Sequence, residues 1–425
     1  LCKGQCLEDT TKLLTLEVMK VSIIHAYILQ KDSYLPLLIL RFVRFSLECG
    51  LSEYSGFAYA NYAHILATSG DIEGGCRFAN LSVRLLDSTK EYLKPSVLYL
   101  VHSSIYHWKK PLRSSLDHVL NSYRLGMQIG NIEAAMSSAG VYCMLYAFSG
   151  LPLSHVNRDM RRFMQQMTDY NQDTARMTMA PVWQYVLNLI GRSSCPCVLT
   201  GEAMDQFELM EYAKSVRNNV SVKNILRFRL FLAVQYFDLE TAEAMMAEVK
   251  NHKGDTKSTF GYTREVFSIA LTLLLKAQNQ GKQRYFRRAQ KSVRLLEKWA
   301  KAGNVNCHDM VLLLQAQSLC ISKKVGVDAI RDAFAKAIAS SSRSGYIHNA
   351  ALACELAADF CGRKDNFFWR DHYYAQAYEY YTLWDAWGKV SMLKRRHPEL
   401  GEKRESLSNH SGAFQARERF DRKVQ

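Results

Sequence analysis

The sequence predicts an all-α chain, a solenoid of stacked antiparallel helix pairs, and three observations carry that prediction. Apolar residues recur at helical spacing along most of the 425 residues. Short breaks rich in Gly, Ser, Asn and Asp interrupt them at near-regular intervals. No stretch alternates apolar with polar residues or clusters β-branched ones, so a run of strands is not expected. With 48% hydrophobic and 22% charged residues the chain has enough apolar side chain for a large core, which excludes wholesale disorder. A repeat array can carry this length as one body, so we expect a helical-repeat domain over residues 1–400 and a polar tail or linker over 401–425.

Two helices open the chain, roughly Thr10 to Gln30 and Leu35 to Cys49. In the second, Arg44 and Glu48 stand one turn apart and can pair on its exposed edge. The clearest unit follows. Ala58, Tyr59, Tyr62, Ala63 and Leu66 fall at helical spacing, Ser69-Gly70-Asp71 breaks the chain, and Phe78, Ala79, Leu81, Val83 and Leu86 resume. Gly70 can take the left-handed conformation that ends one helix, and Asp71 can cap the free amides of the next. This hairpin is tetratricopeptide-like.

The same grammar places further first helices near Glu91, Asn131, Thr174, Asn219, Phe260, Asn306 and Tyr346. Their pitch is roughly 40 residues, longer than the usual tetratricopeptide period. The turn dipeptides Gly130-Asn131, Ser149-Gly150, Thr200-Gly201, Gly303-Asn304 and Ser344-Gly345 separate the units. Most of the seven prolines, Pro95, Pro111, Pro152 and Pro398 among them, read as residues that open or follow a break. The last element is expected from about Phe367 to Arg396.

Composition narrows the function classes. The eleven cysteines share no repeated spacing and read as small buried hydrophobes of a reducing, cytoplasmic compartment. Cys195-Pro196-Cys197 lacks a second pair or a histidine cluster, so no metal site is predicted. The most apolar stretch, Leu35 to Phe45, is interrupted by Arg41 and Arg44, so no membrane span is predicted. A first residue other than Met, in no recognisable signal peptide, points to a segment of a longer polypeptide. The net charge is +15, of which +4 lies between Lys394 and Gln425.

Several ordered stretches carry a resemblance. They are Ser46-Leu47-Glu48-Cys49-Gly50-Leu51-Ser52 with Ser55 and Tyr59, His107-Trp108-Lys109-Lys110-Pro111-Leu112, and Leu199-Thr200-Gly201-Glu202-Ala203-Met204-Asp205. Gly345-Tyr346-Ile347-His348 with Glu355 and Phe360, then Tyr380, Trp384, Lys389, Leu393 and Pro398, complete the set. Together, from about Leu35 to Leu400, they resemble the helical-repeat region of large multi-domain signalling kinases. In that family a kinase-like domain and a STAND-type ATPase precede the repeats, and GAF, histidine-kinase or cyclase modules often follow. The resemblance implies a tetratricopeptide-like superhelix that senses, binds protein partners or restrains neighbouring domains of its own polypeptide. Two departures stand out: Asp385 follows Trp384 where the family usually has Gly, and the basic stretch near Arg287 is not part of the family pattern.

The chain carries no Walker-type phosphate loop, no His-Arg-Asp loop and no Asp-Phe-Gly, so no catalytic residue, cofactor or metal ligand is assigned. His348 and Glu355 share a helical face, but no nucleophile, metal cluster or glycine loop accompanies them, and packing roles explain both. Trp108 reads as the filler of a joint between hairpins, in preference to a ligand-stacking platform.

Two groups remain as candidate partner-binding residues. Arg287, Lys291, Arg294 and Lys298 recur at four, three and four residues and form a basic stripe, which is either a solvated outer face or a site for phosphates or an acidic protein. Trp369, Tyr373 and Trp384 belong to an aromatic-dense terminal segment that is either core and cap or a docking face. The expected function is therefore a non-catalytic scaffold for protein partners, its hairpins forming an extended concave surface, with a basic helical-repeat protein that binds nucleic acid or another acidic partner as the competing reading.

Overall fold

The computed structural model describes residues 9–28, 34–252, 257–322 and 324–398, and these contain nineteen α-helices and no strand. The expected tail, 401–425, lies outside the described residues. Helices α1 (Thr10–Ile28) and α2 (Leu35–Cys49) form the first pair, and Arg44 Nε meets Glu48 Oε1 at 2.7 Å on its exposed edge. Then come α3 (Ser55–Ser69) with α4 (Ile72–Arg84), α5 (Lys94–Ser104) with α6 (Leu116–Ile129), and α7 (Ile132–Phe148) with α8 (Leu153–Asp169). They are followed by α9 (Asp173–Ile190) with α10 (Gln206–Ser215), and α11 (Asn219–Gln235) with α12 (Leu239–Asn251). The last pairs are α13 (Phe260–Gln280) with α14 (Gln283–Lys301), α15 (His308–Leu319) with α16 (Val327–Arg343), and α17 (Ile347–Gly362) with α18 (Phe367–Leu383). Helix α19 (Trp387–Arg396) ends the described chain.

One turn design joins many of these helices. The chain takes a positive φ for one residue, and an Asn or Asp then caps the next helix. Gly70 (φ 99) precedes Asp71, whose carboxylate accepts from the Gly74 amide at 2.9 Å, and Gly130 (φ 77) precedes Asn131, which accepts from Ala134. Arg217, Phe237 and Asp365 take the same left-handed conformation before the caps Asn218, Asp238 and Asn366, although none is glycine. Short 3₁₀ turns at Glu91–Leu93 and Val305–Cys307 lead into α5 and α15, so these helices begin slightly later than the sequence predicts. Pro36 and Pro95 sit in the first turns of α2 and α5, whereas Pro181 lies in the interior of α9.

The two helices of each pair differ in how much of their circumference is covered. The first helices, α3 to α17 by odd number, stack on one another as an inner layer, and the second helices lie outside them. On α17 every residue from Ile347 to Ala358 is buried. On outer α14 only Tyr285, Ala289, Val293 and Leu296 are buried, a single face at helical spacing. An outer helix is thus held by a few side chains, the larger apolar ones such as Val293 and Leu296 contributing roughly 1.5–3 kcal/mol each on burial.

Inner helices α11, α13 and α17 are buried nearly all round, so along them the expected concave surface is not open. The superhelix turns tightly enough that its last helices return onto its middle, and α19 packs on α9. Three seams make that closure. The Asn306 side chain donates to the carbonyls of His107 (2.6 Å) and Lys110 (2.8 Å). Arg113 donates to the carbonyls of Ser149 (3.0 Å) and Gly345 (2.6 Å), and the Leu153 amide donates to Trp384 O at 3.0 Å. Gly388 lies so close to Asn188 O and the Tyr236 hydroxyl that a Cβ there would stand 2.5 Å from the hydroxyl. Side chains fill the space that an open solenoid leaves to a partner.

Candidate functional site

Buried charge lies in this filled interior. Lys389, fully buried on α19, bonds Glu355 Oε2 at 2.8 Å and donates to Gln235 O at 2.7 Å, and the Tyr381 hydroxyl donates to the same Glu355 oxygen at 2.8 Å. Burial holds the Lys389 ammonium below its ordinary pKa, against the opposing pull of Glu355. Arg227 forks onto Glu265 Oε2 at 2.9 and 3.0 Å. Arg264 reaches Asp309 through Asn349, by bonds of 2.7 Å on each side of the amide, and burial raises the Asp309 pKa.

Glu355 and His348, the pair sharing a helical face, therefore have separate surroundings. Glu355 is committed to Lys389 and Tyr381, whereas His348 stacks on Trp384 with ring centroids 5.2 Å apart and keeps Nδ1 without a hydrogen-bond partner. Burial, then the Arg264 and Arg113 charges, hold His348 well below its usual pKa. These contacts tie inner helices together. Among the described residues, no group of three His, Cys, Asp or Glu is placed to hold a metal ion.

Trp108 is buried at a seam, edge-on to Trp299 at 5.2 Å, with its indole N–H on Ser258 O at 3.2 Å. The aromatic candidates divide by burial. Tyr373 turns inward in the row Tyr373, Ala377, Tyr381 and leaves only an edge in the lining of an open hollow that it shares with Trp369, and Trp384 is fully covered. Trp369 is half-buried under the Arg331 guanidinium, 4.7 Å from the ring centroid, while Phe367 and Phe368 point outward.

The basic stripe stands apart from both. Helix α14 carries seven Arg and Lys against Glu297 alone, a net of +6. Arg287, Lys291, Arg294 and Lys298 are all exposed and lie opposite the buried row of Ala289, Val293 and Leu296. None of the four is in an ion pair among the described residues. They span about 16 Å along the helix.

Beside this stripe runs an open groove of ≈ 590 Å³ that sequence reasoning missed, lined by His308 and Leu312 of α15 and by Ala335, Lys336, Ala339 and Arg343 of α16. Asp332 marks its other end. Gln315 of α15 donates to Glu297 of α14 at 2.9 Å, so the Glu297 flank of α14 faces α15. Arg294 and Lys301, one turn to either side of Glu297, share that flank. Lys336 and Arg343 stand two turns apart on another helix and form no run in the sequence.

No protein-family model matches the chain, and no curated protein is significantly similar to it. Among the described residues no helix is long and apolar enough to cross a membrane.

Proposed function

We propose that the chain is a non-catalytic regulatory scaffold that engages acidic protein partners, or acidic neighbouring domains of its own polypeptide, through the outer face of its C-terminal half. The observation that carries this reading is the α14 row, four exposed cations in register with no ion partner among the described residues. An arrangement of this kind raises the local concentration of an anionic surface and speeds its encounter. The filled interior directs such binding to the convex side. The ordered motifs that resemble the repeat region of ATPase-linked signalling kinases support a regulatory role in the cytoplasm, as one segment of such a protein. A rigid body docked on a switch domain favours whichever state it contacts better.

The same row favours one rival, a nucleic-acid surface. Both are tested by titrating the chain with a fluorescent polyglutamate peptide and with a mixed-sequence single-stranded oligonucleotide over a range of salt. The quadruple variant Arg287→Glu, Lys291→Glu, Arg294→Glu, Lys298→Glu serves as the control. The scaffold reading expects salt-sensitive peptide binding that this variant loses by about tenfold or more. Oligonucleotide binding that is far tighter and lost in the same variant supports the rival instead. The isolated chain should turn over no ATP, and removing it from a parent that carries an ATPase should change the parent's basal rate. An unchanged rate removes the regulatory claim.

A further inference from the structure

We infer that the groove between α15 and α16 is a docking site for an acidic amphipathic α-helix of a partner protein, an inference that rests on the scaffold reading above and names its partner's chemistry. Charge complementarity is the main argument. Lys336 and Arg343 line the groove on the α16 side and His308 on the α15 side, while Arg294 and Lys301 lie one turn to either side of Glu297, which α15 meets through Gln315. None of these five basic side chains is in an ion pair among the described residues. Cations on α16 and on the neighbouring flank of α14 match carboxylates along both edges of one helix, each edge presenting them as i,i+4 neighbours.

The floor supplies the second part of the match. Ala335 and Ala339 are exposed one turn apart on α16, with Leu312 of α15 beside them, so a helix can approach closely and lay apolar side chains on them. The ends of the groove are unlike. Arg343 and His308 lie at the N-terminal end of α15, whereas Asp332 lies at the other. A docked helix therefore places its negative C-terminal end beside Arg343 and its positive N-terminal end beside Asp332. That direction is a specific consequence of the geometry.

A nucleic acid fits less well. Its phosphates are uniformly anionic, and Asp332 lines the groove. Its lining includes one ring, the His308 imidazole, and no Phe, Tyr or Trp on which successive bases could stack.

The test uses the full chain and a fluorescent amphipathic peptide with Leu on one face and Glu along both edges. A scrambled peptide of the same composition and a Glu-to-Lys counterpart serve as controls. The Leu/Glu peptide should bind at low salt and gain helicity on binding, and the Lys counterpart should not bind. Lys336→Glu with Arg343→Glu should weaken binding about tenfold or more. Ala339→Trp, at an exposed position that leaves the fold intact, should weaken it about fivefold by filling the floor. Lys214→Glu on α10 should change nothing beyond a small salt-dependent effect.

Equal binding of the scrambled peptide, or indifference to Ala339→Trp, would overturn the groove. An oligonucleotide that displaces the peptide and ignores Ala339→Trp would do the same. The stripe on α14 tells that failure from failure of the scaffold reading. If its reversal still abolishes polyglutamate binding while the α16 variants do nothing, the groove falls and the scaffold reading stands.

Discussion

Ser154 Oγ donates to Asp385 Oδ2 at 2.5 Å across 231 residues of sequence, and the Ser154 amide reaches the same oxygen at 3.3 Å. Asp385 holds φ at 62°, between α18 and α19, where left-handed backbone costs a residue with a Cβ roughly 1–2 kcal/mol. Its carboxylate accounts for its presence: it ties the last turn to the start of α8 and closes the superhelix. Asp385→Gly should relax the backbone and lose the tie, whereas Asp385→Ala keeps the strain and loses the tie. The expected order of stability is wild type, then Gly, then Ala, with Ala lower than Gly by about 1 kcal/mol in a denaturant melt. Equal melts of the Gly and Ala variants would show that the left-handed turn is not what costs.

The buried Lys389 and Glu355 pair makes a second prediction about the same closure. Removing one partner leaves the other charge in the core, and either Lys389→Met or Glu355→Gln should cost about 3–5 kcal/mol. The double variant should cost less than the sum by at least about 1 kcal/mol, because no charge is then stranded. Strict additivity would mean that the two side chains act independently.

Acid should loosen the seams through their histidines. His107 is buried with both ring nitrogens unpartnered, and burial takes its pKa from 6.5 down to about 3; His102 is lowered similarly by burial, then by His118 and Lys110. Each therefore binds protons more tightly in the unfolded chain. Its contribution is complete above about pH 6.5 and is lost as pH falls toward 3, at up to about 1.4 kcal/mol per pH unit per group. Asp309, raised by burial, contributes with the opposite sign, so the histidine part is read as the difference between wild type and His107→Phe. The variant should show a shallower fall in melting temperature between neutral pH and about pH 5. Parallel curves for the two proteins would exclude His107.

Local rules made much of this legible. The break at Gly70 and Asp71 announces both a left-handed residue and a cap, and α3 and α13 begin at the residues the sequence predicts, Ser55 and Phe260. The left-handed turns at Arg217, Phe237 and Asp365 leave a mark only in the Asx cap that follows, because nothing in an ordinary side chain signals positive φ. Trp384 reads as a possible docking residue until closure of the superhelix covers it, and that closure depends on bonds between residues far apart in sequence. The stripe on α14 was visible because its period lies within one helix. The groove beside it was not, since its walls come from separate helices.

The stripe should cost the fold something, and this allows its role in binding to be measured apart from stability. Arg287 and Lys291, Lys291 and Arg294, and Arg294 and Lys298 are like charges three or four residues apart on one exposed face, and each such pair destabilises a helix by about 0.2–0.5 kcal/mol. Glutamine has nearly the same helix propensity as Lys and Arg, so replacing all four by Gln removes repulsion without changing the backbone preference. Part of the gain is returned at Lys298, in the last turn, where a cation favours the helix dipole. The quadruple Gln variant should therefore be as stable as the wild type or more stable by up to about 1 kcal/mol, at an unchanged denaturant slope. It should at the same time lose polyglutamate binding. A clear drop in stability would mean that the stripe packs against something in the folded chain, and lost binding could then no longer be assigned to its charge.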